Sequence, residues 1–164
     1  MGMTKSVFGK TSNGEVVHLV TVSNQKGMSI EVLDYGATLV SVNVPDKDGH
    51  TEDVALGYDD VLDYEKGDAY LGATVGRCGN RVDHAEFSIN GKEYFMEKNE
   101  GENVCHSGPR CYSRRMWDME LLEEENSVRF HLVSPNMDQG FPGTFEVTVT
   151  YILTEENELK IHYN

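Results

Sequence analysis

Val147-Thr148-Val149-Thr150-Tyr151-Ile152-Leu153 places an apolar side chain at every second position, and this spacing decides the fold. In an extended backbone successive side chains point to opposite faces, so Val147, Val149, Tyr151 and Leu153 share one side and suit a strand with one buried face. The same period continues upstream in Val128, Phe130 and Leu132, and downstream in Leu159, Ile161 and Tyr163, which read as further half-buried strands. Turn chemistry separates such runs: Asn13-Gly14, Asp48-Gly49, Asn90-Gly91 and Glu155 to Glu158. The sharpest signal is Phe87-Ser88-Ile89, then Asn90-Gly91, then Lys92 to Met96, because Asn-Gly accepts the positive φ angles of a type I′ hairpin. Glu123 to Glu125 reads as a solvated turn between strands. No window holds apolar residues at i, i+3, i+4 and i+7 behind a cap, so helix is confined to a turn near Asp59 to Glu65. The chain is predicted to be all-β, an antiparallel β-sandwich.

Composition narrows the function. With 164 residues the chain is long enough to bury the core of one ordinary domain. A net charge of −14 repels phosphate backbones and anionic lipid heads, which sets aside nucleic acid and membrane as partners. Cys78, Cys105 and Cys111 cannot all pair within one chain and no signal peptide precedes them, which points to the reducing cytoplasm. Cys105, His106 and Cys111 lack the spacing of a zinc site, so no metal is expected. Met1-Gly2-Met3-Thr4-Lys5-Ser6 fits the myristoylation pattern literally, but residues 1–2 read more simply as a cloning scar before a native Met3.

Two stretches carry chemistry. Gly72-Ala73-Thr74-Val75-Gly76-Arg77-Cys78-Gly79-Asn80-Arg81 sets two arginines and an asparagine among three glycines. Guanidinium forks and an amide beside a backbone free to approach a ligand suit a molecule rich in hydroxyls. Taken singly, each arginine is expected to pair with some of the 28 acidic residues instead. The glycine order is not that of a dinucleotide or phosphate loop. Asn99 to Arg115 is long, polar and poor in strand pattern, and it holds His106 among small neighbours. An imidazole there can donate to a sugar oxygen or move a proton near neutral pH.

Read together and in order, Gly76 to Arg81, Phe87 to Tyr94, Asn99 to His106, Ser134 to Gly143 and Tyr151 to Tyr163 resemble the galactose mutarotases, the aldose 1-epimerase family. Ser134-Pro135-Asn136-Met137-Asp138-Gln139-Gly140-Phe141-Pro142-Gly143 is the most specific block, close to the family's Ser-Pro-Asp-Gly-x-x-Gly-Tyr/Phe-Pro-Gly. The resemblance implies a mutarotase-like supersandwich of which residues 1–164 form the N-terminal half. It also implies that Asn80, Arg81 and His106 bind a small aldohexose. Cys105-His106-Ser107-Gly108 replaces the family's Leu-His-Gly-Gly, and a serine in place of the first glycine puts the loop geometry in question.

The implied reaction interconverts the α and β anomers of a free hexose such as D-galactose or D-glucose. A base takes the proton of the anomeric hydroxyl, an acid protonates the ring oxygen, and the opened aldehyde recloses on its other face. It calls for no cofactor. The family's general base glutamate and acid histidine match nothing in this chain, which is expected to be truncated, to hold no catalytic residue and to be inactive alone. Two other functions fit the same fold. One is a non-catalytic sugar-binding homologue; the other is an epimerase of phosphorylated hexoses, in which Arg77, Arg114 and Arg115 contact phosphate.

Overall fold

The computed structural model describes residues 2–164, and Met1 of the supposed scar lies outside them. Five antiparallel strands make the first sheet in chain order: β1 (Gly2–Lys10), β2 (Val16–Ser23), β3 (Ser29–Leu33), β4 (Thr38–Pro45) and β5 (Thr51–Asp53). After the helix α1 (Val61–Lys66) come the short strands β6 (Arg81–Val82), β7 (Glu86–Ile89), β8 (Lys92–Phe95) and β9 (Val104–Cys105). β10 (Asp118–Leu122), β11 (Ser127–Ser134), β12 (Phe145–Leu153) and β13 (Leu159–Tyr163) form the second sheet, also antiparallel and in chain order.

The two sheets pack face to face. Val20, Val22, Ile30 and Val32 of the first meet Val128, Phe130, Val149 and Tyr151 of the second, whose alternation is read from the sequence. Each such side chain removed from water contributes about 1.5–3 kcal/mol before the entropy of ordering is set against it. Tyr151 also ties the layers together, its hydroxyl donating to the Ala37 carbonyl at 2.7 Å. The opposite face of the first sheet holds Val17, Leu33 and Val40, and α1 covers it with Val61 and Tyr64. That helix is the turn expected near Asp59, started where the Asp60 carboxylate accepts the Leu62 N–H at 2.7 Å.

Asn90 and Gly91 take φ angles of 53° and 77° between β7 and β8, as a type I′ hairpin requires. One expectation fails. β13 is a strand, but as the outer strand of its sheet it leaves Ile161 39% and Tyr163 64% exposed instead of half-buried.

The candidate site hangs on the segment between the sheets. Leu39 donates to the Gly72 carbonyl at 2.9 Å and Thr74 to the Gly36 carbonyl at 3.0 Å, laying this segment along the start of β4. Two glycines permit the approach. A Cβ at Gly72, whose φ is +58°, would stand 1.8 Å from the Leu39 carbonyl oxygen, and one at Gly76 would stand 2.3 Å from the Tyr112 ring.

Candidate functional site

A two-residue ribbon builds the site. β6 and β9 pair antiparallel with Arg81 opposite Cys105 and Val82 opposite Val104. Val82 and Val104 turn inward to a third apolar cluster with Ala85, Met96 and Phe141, so the ribbon is anchored from below. This register puts Asn80 across from His106. The His106 N–H donates to the Asn80 carbonyl at 2.9 Å, and the Asn80 N–H donates to His106 Nδ1 at 3.1 Å.

Asn80, Arg81 and His106 line one open concavity of about 470 Å³ together with Asp68, Tyr70, Asn99, Glu100 and Cys105. The three residues singled out in the sequence are therefore neighbours on one wall. Their backbone is unusual: Asn80, His106 and Ser107 have φ angles of 60°, 51° and 71°. Ser107 thus occupies the left-handed region that its replacement of a glycine had put in question. Its hydroxyl accepts the Cys78 N–H at 2.7 Å and donates to the Cys78 carbonyl at 3.0 Å, which holds the side chain buried and offsets the strain.

Arg81 is paired with an acid, as expected of an arginine in so acidic a chain. Its Nε and Nη2 donate to the Glu100 carboxylate, the latter at 2.7 Å, and Nη1 donates to Asn80 Oδ1 at 3.2 Å. Hydrogen bonding from Arg81 holds the Glu100 carboxyl below its ordinary range, and Glu100 in turn raises the Arg81 guanidinium. Both groups are exposed, so the pair orients the fork more than it stabilises the fold. Asn99 fixes the turn before Glu100 by bonding the Cys105 backbone twice, at 2.7 and 3.0 Å.

His106 is held as a donor. A backbone N–H can only donate, so Nδ1 accepts and the neutral ring carries its proton on Nε2; the tautomer is assigned from this bond. Tyr70 packs edge-on against the imidazole with centroids 4.6 Å apart, and burial pushes its phenol above the ordinary tyrosine range.

Arg77 departs from expectation. Among the described residues it forms no ion pair and instead binds the Ser134–Gly143 segment through main-chain carbonyls and the Ser134 hydroxyl. Arg115 grips Asp138 with two bonds of 2.7 and 2.9 Å, and Arg114 reaches the Gly67 carbonyl at 3.3 Å. The three arginines offered for contact with a phosphorylated sugar each hydrogen-bond protein groups.

Asn99 and Glu100 fall in the long polar loop where binding residues were expected. Asp68 and Tyr70 escaped sequence reading, because the four residues between Gly67 and Gly72 are too few to carry a period. Among the described residues no three His, Cys, Asp or Glu side chains are placed to hold a metal ion, and no helix is long and apolar enough to cross a membrane. Cys78, Cys105 and Cys111 are free thiols.

The aldose 1-epimerase family model matches residues 18–164. An aldose 1-epimerase of Haemophilus influenzae is 40% identical over 151 residues, which cover 92% of this chain and 43% of the relative. A galactose mutarotase of Sus scrofa is 34% identical over 165 residues, covering 99% of this chain and 47% of the relative. Among solved structures, a galactose 1-epimerase of Lactobacillus acidophilus superposes with a TM-score of 0.83 at 29% identity, over 99% of this chain and 47% of that one. The chain spans less than half the length of the relatives it matches.

Proposed function

The chain belongs to the aldose 1-epimerase family, and from that premise we propose that it supplies the sugar-binding wall of an enzyme that interconverts the anomers of a free aldohexose. In this reading residues 1–164 are the N-terminal part of one mutarotase-like sandwich domain, working in the cytoplasm on D-galactose or D-glucose. Asn80, Arg81 and His106 bind the substrate. The observation that carries the proposal is the β6–β9 register, which sets these three side chains on one concavity.

Their chemistry fits a hydroxylated ring. Arg81 presents N–H groups oriented by Glu100, Asn80 offers an amide, and His106 offers Nε2–H. Such donors can also stabilise the negative charge that develops on oxygen as the hemiacetal opens. They do not make a base. Glu100 is the carboxylate nearest the three in hydrogen-bond terms, and its pairing with Arg81 lowers its pKa and so its basicity. The 164-residue chain is therefore expected to bind hexose without accelerating mutarotation.

Titration of the labelled chain with D-galactose, followed by amide chemical shifts, tests the binding. Shifts should concentrate at Asn80, Arg81 and His106. Arg81→Ala should weaken affinity roughly tenfold or more, since a charged fork is lost, and Arg81→Lys should restore only part of it. Polarimetry of freshly dissolved α-D-galactose should show the uncatalysed rate. Unchanged binding in Arg81→Ala would reduce that residue to a surface charge, and a clear acceleration would place a working base within this chain.

A further inference from the structure

Ser134 to Gly143 is the block most specific to the family, yet none of its side chains lines the concavity among the described residues. What it holds is Arg77. Arg77 Nε donates to Ser134 Oγ at 2.9 Å, Nη1 to the Pro142 carbonyl at 3.1 Å, and Nη2 to the carbonyls of Ser134, Pro135 and Gly143 at 3.0, 2.9 and 2.9 Å. The Phe141 and Phe145 rings each stand 5.8 Å from the guanidinium carbon. So many simultaneous contacts fix both the plane and the position of the side chain.

The loop that grips Arg77 is itself rigid for other reasons. Asp138 accepts the Ser134 hydroxyl at 2.5 Å and both Arg115 bonds, Asn136 Oδ1 accepts the Gly143 N–H at 2.7 Å, and a Cβ at Gly140 would stand 2.2 Å from the Phe95 carbonyl. From this frame the contacts run to the site without a gap. Only Cys78 and Gly79 separate Arg77 from Asn80, and the backbone of Cys78 is clamped on both sides by the hydroxyl of Ser107, the neighbour of His106. Gln139 of the same loop lies where a Cβ at Gly108 would be 3.7 Å from its Oε1, which backs the far end of the His106 turn.

We infer that Arg77 is a positioning residue for the sugar site. It transmits the fixed geometry of the Ser134–Gly143 loop to Asn80 and Arg81 directly, and to His106 through Cys78 and Ser107. The inference rests on the proposed sugar-binding role, but its structural arm is read without sugar.

Arg77→Lys keeps a positive charge between the two phenyl rings and removes the fork. In the 164-residue chain labelled with nitrogen-15, the amides of Asn80, Arg81 and His106 and the His106 ring nitrogens should shift and broaden. The amides of Val128 and Val149 in the core should stay. Affinity for D-galactose should fall about tenfold. Should the lysine variant unfold, Ser134→Ala decides instead, because it removes the Nε acceptor and the hydroxyl's bond to Asp138 but leaves the carbonyl bonds to Arg77, and should move the same site signals by less. Signals of residues 134–143 that change while those of Asn80, Arg81 and His106 do not would overturn the inference. A wild-type chain that binds no hexose defeats the proposed function, and the ring-nitrogen signals still decide whether Arg77 sets the site.

Discussion

His106 shows how one hydrogen bond fixes a side chain's chemistry. With Nδ1 accepting from the Asn80 N–H, the ring should appear as the Nε2–H tautomer, and its two nitrogen-15 shifts at neutral pH should separate into one protonated and one bare nitrogen. Two averaged shifts would mean the bond is absent. Asp138 offers a test of a different kind. Burial raises its pKa, but the Arg115 and Ser134 hydrogen bonds and the charges of Arg115 and Arg77 outweigh this, so the folded value lies below the ordinary 3.8. A folded pKa lowered in this way gives stability that is complete above the unfolded value and lost as pH falls through the folded one. Thermal unfolding followed from pH 6 down should therefore show a loss below about pH 4, and Asp138→Asn should flatten that part of the curve while lowering stability at neutral pH. The sequence disclosed such residues unevenly. His106 and Arg81 stood out by their settings, whereas Glu100 looked like one acid among 28 and gained meaning only when folding put it against Arg81.

Strands were the most legible elements because a period of two leaves a long record. Val147 to Leu153 alternates buried and half-buried as its period predicts, and the Asn90-Gly91 turn fixes its hairpin without outside help. β6 and β9 left no such record. Two residues are too few to show a period, and their pairing across a whole hairpin is a tertiary event. The exposure of β13 is not legible for a related reason, since alternation shows that a strand has two faces and does not show what covers them. The segment over β4 depends on backbone shape. Gly72→Ala would force a positive φ on a Cβ that also meets the Leu39 carbonyl. The expected cost is about 3 kcal/mol, combining strain and overpacking, and denaturant unfolding against wild type would measure it. A change within 0.5 kcal/mol would show that the segment relaxes away from the sheet.

As a whole the described residues form two sheets joined by a buried core. Among the described residues no strand pairs with the outer side of β13, and Ile161, Tyr163 and Phe145 are exposed on its sheet, so the test concerns the 164-residue chain by itself. Unpaired edges and exposed apolar groups favour association of like chains. Sedimentation velocity should show the weight-average mass rising above 18.4 kDa with concentration, and Ile161→Lys should suppress the rise. A single monomeric species at all concentrations would show the edge to be harmless. The ribbon of β6 and β9 has a wider consequence. Because Asn80 and His106 bond each other directly, the 25 residues from Arg81 to Cys105 form a loop closed at its neck, and its tip at Asn90-Gly91 lies far along the chain from both. A reporter sequence spliced into that tip should leave the separation of the two residues at the neck unchanged.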